Sequence, residues 1–287
     1  DRRLSRRLVQ SVAVQAENPG RAFCGAAQGD NAIVKGYYRF IDQPDESAVT
    51  MENILLPHRA QTLRRMEAQK TVLCIQDGTD LNYNGLAQCE GLGVIGNNQT
   101  GAKSCGLHLH STLAVTDDGL PLGVIRAQCS APESRSEDDT RTTAEIPIAE
   151  KKNYAWIEGM QDCAAIAAQM PHTRIVCVMD READFFELFD AWHQDQQVDL
   201  LIRANHNRCT TEDLKLFDAV RATEPRLQFT LFVNRQSARP KKSGQKARSK
   251  RPERVAEMTL RYRHIELKPS FYHQDKSPIG LWIIHAT

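Results

Sequence analysis

The chain has 287 residues, 41% of them apolar and 25% charged, and Lys and Arg outnumber Asp and Glu by 37 to 36. These are the proportions of a soluble globular protein, long enough for two domains or for one large core with appendages. No run of about 18 apolar residues occurs, which excludes a helical membrane span, and a net charge of +1 excludes arguing a nucleic-acid partner from the total.

The chain opens Asp1-Arg2-Arg3-Leu4-Ser5-Arg6-Arg7, neither a start methionine nor a signal peptide, so an N-terminally trimmed chain is expected. Residues 3–17 place Leu4, Leu8 and Val12 on one helical face, and Asn18-Pro19-Gly20 ends that helix. A second helix is expected over about 31–42, capped by Asp30 or Asn31. A third covers about 47–69, capped by Ser47 and bent near Pro57. Residues 1–70 therefore read as a small helical unit. From residue 71 the periodicity changes. Residues 71–76 predict a strand, and 106–115 with 120–128 a hairpin across Asp117-Asp118-Gly119. The polar stretch 130–153 reads as a loop. Helix 154–169, strand 174–179, helix 182–194, strand 198–203 and helix 212–221 come next. Strands are expected again at 226–234, 254–268 and 279–285.

The fold class is α/β: a mixed sheet with flanking helices over 71–222, a β-rich insertion over 223–278, and a return to the core over 279–287. The insertion carries a basic turn. Residues 239–254 hold eight basic side chains, Lys241, Lys242, Lys246, Arg248, Lys250 and Arg251 among them, against Glu253 as the sole acid. Local density of this kind is the electrostatic footprint of a polyanion. Residues 131–140, by contrast, are acidic and polar. The eight cysteines form no Cys-x-x-Cys pair, and Cys74 and Cys177 sit in apolar runs as small buried thiols, which points to a reducing cytosol.

Two aspartates carry the chemistry. Asp77 and Asp180 each close a short β-branched apolar run, 103 residues apart (180 − 77). Carboxylates delivered to one sheet edge suit a divalent metal and phosphoryl transfer. Capping the next helix is the plain alternative, above all for Asp180. Asp80 and Asp184 read as solvated or capping residues. Arg181 is placed to touch a phosphate or to pair with Asp184. His108 and His110 share one strand face, where lining a half-buried surface is the more ordinary role than metal ligation. Trp282, on composition alone, reads as core.

At these residues the chain resembles the bacterial DDE transposases of the insertion-sequence IS-four group, the Tn-five-like enzymes, over nearly its whole length. Asp1-Arg2-Arg3-x-x-Arg6-Arg7-Leu8 resembles the family's N-terminal DNA-binding segment, and Tyr38-Arg39-Phe40 its following motif. Gln76-Asp77-Gly78-Thr79 resembles the first catalytic block and Val178-Met179-Asp180-Arg181-Glu182-Ala183-Asp184 the second. Glu150-Lys151 with Trp156 resembles the intervening segment, and Arg251-Pro252 the β insertion.

The resemblance implies an RNase H-like core in which Asp77 and Asp180 hold two Mg²⁺ or Mn²⁺ ions for nicking, hairpin formation and strand transfer on double-stranded DNA. It implies DNA contacts by Arg2, Arg3, Arg6, Arg39, Arg203 and the basic turn, and stacking of Trp282 on a flipped base. A homodimer on DNA, in a bacterial, nucleoid-associated cytoplasm, is expected with it. The family's third acid is a Glu on a helix downstream of the Trp282 strand. The chain stops at Thr287, so Asp77 and Asp180 are expected to be two of three acids. A DNA-binding, inactive fragment is one alternative. An RNase H-like nuclease using Glu182 or Asp184 as third acid is another.

Overall fold

The structure, a computed structural model, describes residues 1–44, 46–86, 88–97, 103–132, 140–142, 145–238 and 247–287. Lys241, Lys242, Lys246 and most of the acidic stretch lie outside them. The chain divides into two units, Asp1–Gln61 and Thr62–Thr287, with the division inside a helix and not at residue 70.

The first unit is helical. In α1 (Arg2–Glu17) the Asp1 carboxylate caps the helix by accepting from the Arg3 N–H at 2.8 Å. Its inward side is centred on Ser11, while Val12 is 58% exposed. The helical period explains this correction: Ser11 lies about 20° round from Leu4, Val12 about 80°. A short turn of helix, α2 (Phe23–Ala26), has no sequence forecast; Phe23 stacks on Tyr37 at 4.0 Å. In α3 (Asn31–Ile41) Asp30 caps as expected, accepting from Ala32 and Ile33. The last helix, α4 (Met51–Glu67), begins later than 47. Ser47 holds a turn by accepting from Val49, and Thr50 is the residue that accepts from Asn53 at the helix start.

The second unit is of the α/β class. Its main sheet contains β1 (Thr71–Asn82), β2 (Gly93–Asn97), β3 (Lys103–Thr116), β4 (Pro121–Ser130), β5 (Arg174–Met179) and β6 (Asp199–Ile202). The order is β2-β3-β1-β5-β6, with β4 also on β3. Pairings among β1 to β4 are antiparallel, whereas β1–β5 and β5–β6 are parallel, so the sheet is mixed. Between β4 and β5 the chain crosses over as α5 (Tyr154–Gln169), as a parallel connection requires. Alternation then builds the core: Val72, Cys74, Ile175 and Cys177 face α5 and bury against Trp156, Met160 and Cys163. Each large apolar side chain sealed there contributes about 1.5–3 kcal/mol.

Two helices start later than their apolar pattern predicts. Residues 181–183 form a 3-10 turn, and α6 (Phe186–Asp195) begins only after Asp184 has turned inward. Likewise α7 covers Leu216–Arg221; Asp213 before it takes a φ of 59°. A second, antiparallel sheet orders β7 (Leu227–Val233), β8 (Arg254–Leu267) and β9 (Ile279–Ala286) as β7-β8-β9. The last strand, expected to return to the core, pairs with β8 and reaches the core by packing: Ile279, Ile265 and Leu267 bury against Phe186, Phe189 and Leu216. The sheet's other face exposes Leu227, Phe229, Leu231, Tyr262, Trp282 and Ile284.

Candidate active site

Register brings the two aspartates together. Between β1 and β5 each residue pairs with the one 103 positions on, from Val72 with Ile175 to Ile75 with Val178. Asp77 and Asp180 differ by the same 103 (180 − 77), so they stand level just beyond the last pair. Neighbouring strands lie about 4.8 Å apart. Alternation fixes the face as well. Gln76 and Met179 are buried, so Asp77 and Asp180 project on the side away from α5, where both are exposed.

The strand-end expectation holds for Asp180 and needs correction for Asp77. After β5, Asp180 caps the 3-10 turn, its Oδ1 accepting from Glu182 N at 2.7 Å. Asp77 lies within β1, opposite Ser111 of β3, and its Oδ1 accepts from Gly78 N at 2.8 Å. The apolar run stops near residue 75 because the far part of β1 leaves the β5 side. Its pairing with β3 continues to Asn82 regardless.

The neighbouring acids are committed elsewhere. Asp184, expected to be solvated or capping, is 5% exposed and accepts from the Asn205 and His206 N–H groups and from the Arg208 guanidinium. Its partner is therefore Arg208 and not Arg181, and its oxygens are already taken, which removes it as a third acid. Glu187 faces Lys151 at 3.9 Å and His273 at 3.6 Å. Asp80 bridges Lys152 Nζ at 2.8 Å and His108 Nδ1 at 2.9 Å. Its partial burial works against ionisation, but Lys152 and His108 outweigh that and hold the carboxyl below the usual range. Among the described residues no group of three or more His, Cys, Asp or Glu is gathered for a metal. Two level carboxylates still match the hard-oxygen preference of Mg²⁺ and Mn²⁺.

Both strand histidines are buried, under the crossover helix. Burial pushes the His110 imidazole down to about 4, with the His108 and Arg126 charges adding to the effect. Below about 6.5 the unfolded chain takes up a proton at this ring, whereas the folded protein does so only near 4. Stability is therefore expected to fall as pH drops from about 6.5 towards 4, by up to ~3 kcal/mol from this group. Urea unfolding across that range checks it, and His110→Gln should flatten the profile.

The forecast basic residues are surface residues. Arg2, Arg3, Arg6 and Arg39 are exposed on the helical unit, and Arg248, Lys250 and Arg251 at the base of the basic turn. Arg181 and Arg203 are exposed too; the Arg203 N–H bonds to the Met179 carbonyl at 3.1 Å, which sets Arg203 beside the Asp180 turn. Trp282 is 64% exposed, contrary to the core reading from composition. It lies edge-on to His264 at 5.4 Å and to Tyr262 at 5.9 Å. It also borders a cleft lined by Phe189, Leu200, His206 and Arg208. Arg208 carries no signal in the sequence, and Gln76 enters there only as part of the block around Asp77. Gln76 was detectable, since it holds an inward-facing position on a strand otherwise apolar there. No helix among the described residues is long and apolar enough to cross a membrane. No known protein-family model matches the chain.

Proposed function

We propose that this protein is a DDE-type DNA transposase, whose RNase H-like core uses Asp77 and Asp180 for phosphodiester hydrolysis and strand transfer at transposon ends. The observation that carries the reading is the level, same-face position of the two carboxylates on adjacent parallel strands. The strand path β4-β3-β1-β5-β6, antiparallel and then parallel, supports the RNase H-like class.

Asp77 and Asp180 would hold divalent Mg²⁺ or Mn²⁺ through their free-facing oxygens. The bound ions supply Lewis-acid activation of water or a 3′-hydroxyl and offset charge on the phosphate. The chain's own residues do the positioning. Asp77 is fixed by the β1–β3 ladder, and Asp180 by its cap on the following turn. Arg181 and Arg203, exposed beside that turn, are suited to hold the neighbouring phosphates. Trp282, with its indole face uncovered, is suited to stack on an unpaired base. The exposed basic residues of the helical unit, and separately those of the β insertion, are suited to hold phosphates of double-stranded DNA. A homodimer on paired ends, in a bacterial cytoplasm, belongs to the same proposal.

Gel shifts on the element's own end DNA test the binding half. Affinity should fall by about 10³-fold or more between 50 and 200 mM salt, and Arg203→Ala should lower the slope by about one. Salt-insensitive retardation, or equal affinity for random DNA, would count against end recognition.

A further inference from the structure

Six buried polar atoms have no hydrogen-bond partner within the protein and occupy one layer between the sheet and α5: Gln76 Nε2 and Oε1, His110 Nδ1 and Nε2, Thr112 Oγ1 and Arg126 Nε. Among the described residues only one further such atom occurs, His285 Nδ1. Register gathers the six. Gln76 opposes Thr112 across β1 and β3, and Thr112 opposes Arg126 across β3 and β4. His110 stands one step along the same face, opposite Gly78 of β1 and Gln128 of β4. The crossover helix closes the layer from above. Trp156 meets the His110 ring edge-on at 4.8 Å, and a Cβ at Gly159 would come within 2.3 Å of Gln76 Oε1. Gln76, His110 and Thr112 are 2%, 1% and 0% exposed.

An unmade buried hydrogen bond lowers a folding equilibrium constant roughly 5- to 150-fold. Six such losses multiply to about 10⁴-fold or more, comparable with the whole folding constant of a stable domain, about 10³–10⁸. The groups must therefore be served by something that donates and accepts. A cation is disfavoured by the Arg126 guanidinium. An anion is disfavoured because Glu158 and Asp162 already pair with that guanidinium, at 3.1 and 2.6 Å. The set mixes neutral donors and acceptors: an amide, a hydroxyl and an uncharged imidazole.

We propose that this layer is a binding site for ordered internal water, about two or three molecules bridging Gln76, Thr112, His110 and Arg126. A buried water makes two to four hydrogen bonds, so six atoms need at least about two. The waters would fasten the β1 backbone immediately before Asp77 to its neighbours β3 and β4. The inference is independent of what the carboxylate pair does.

Magnetic relaxation dispersion of water ¹⁷O counts long-lived internal waters in the intact protein. At least one should be lost in Thr112→Val, an isosteric change. The same variant should lower the folding equilibrium constant about 10-fold if the hydroxyl is water-bonded, whereas removing an orphaned hydroxyl leaves it unchanged or raises it. Should Thr112→Val not fold, a crystal structure of the unaltered chain decides, with ordered water expected about 2.7–3.2 Å from the Thr112 hydroxyl and the Gln76 amide. A dry layer, or a more stable Thr112→Val protein, overturns the proposal.

Discussion

Replacing Asp180 with asparagine is expected to remove divalent-metal-dependent cleavage of end DNA, by about 10³-fold or more, with little change in folding stability. The amide oxygen can still accept from Glu182 N, so the cap survives while the negative charge is lost. Asp77→Asn should behave alike, because Asp77 is exposed and its carboxylate accepts only from the adjacent Gly78 N–H among the described residues. Mn²⁺-induced relaxation of water protons gives a second readout, since the metal should leave both variants together. The comparison is made on protein extended past Thr287 wherever the coding DNA continues. Cleavage at the unaltered rate by either variant would sink the assignment of these residues, and with it the transposase reading.

The largest stability effect is expected at Asp184. Four hydrogen bonds reach its carboxylate: two from the backbone at Asn205 and His206, and two from Arg208. The Asp184 carbonyl also accepts from Arg208. Asp184→Ala strands a largely buried guanidinium and two N–H groups, at a cost of about 3–5 kcal/mol. Asp184→Asn should lose less, because it keeps an acceptor for the backbone. Pairing Asp184→Ala with Arg208→Met should recover much of the loss by removing the stranded charge. Urea denaturation of the four proteins completes the cycle. A loss under about 1 kcal/mol in Asp184→Ala would show that the pair does not latch the 203–208 loop.

The elements most legible in the sequence were those whose packing is local and one-sided. Helix 154–169 and strand 174–179 match the structure to the residue, because Ala, Ile and Met periodicity and a β-branched run bounded by polar residues leave little alternative. The hairpin over Asp117-Asp118-Gly119 was equally plain, and Gly119 takes the φ of 96° that the turn requires. The illegible features depend on partners distant in sequence. Nothing around Asp184 announces that Arg208 will draw it inward and delay α6. Nothing in residues 77–82 is apolar enough to reveal that β3 keeps them in a strand. Trp282 looked like core because its neighbours do, yet its parity places it on the open face of the second sheet. The carboxylate pair itself was half legible. Its residues and their separation were evident, whereas their shared level rests on the β1–β5 pairing.

That pairing makes position along β1 a kind of address. Deleting any one residue between Thr71 and Gln76 would move Asp77 by one place and turn it to the opposite side of the sheet. Its carboxylate would then point into the layer beneath α5, beside His110 and Thr112, where a charge finds little solvent. The 3-10 turn after Asp180 pairs with no strand, yet it is constrained too: it buries Ala183 in the core and leads straight to Asp184, which Arg208 holds inward. Length changes should therefore harm both aspartates by different routes: before Asp77 they reverse the face it occupies, and after Asp180 they pull Asp184 away from Arg208.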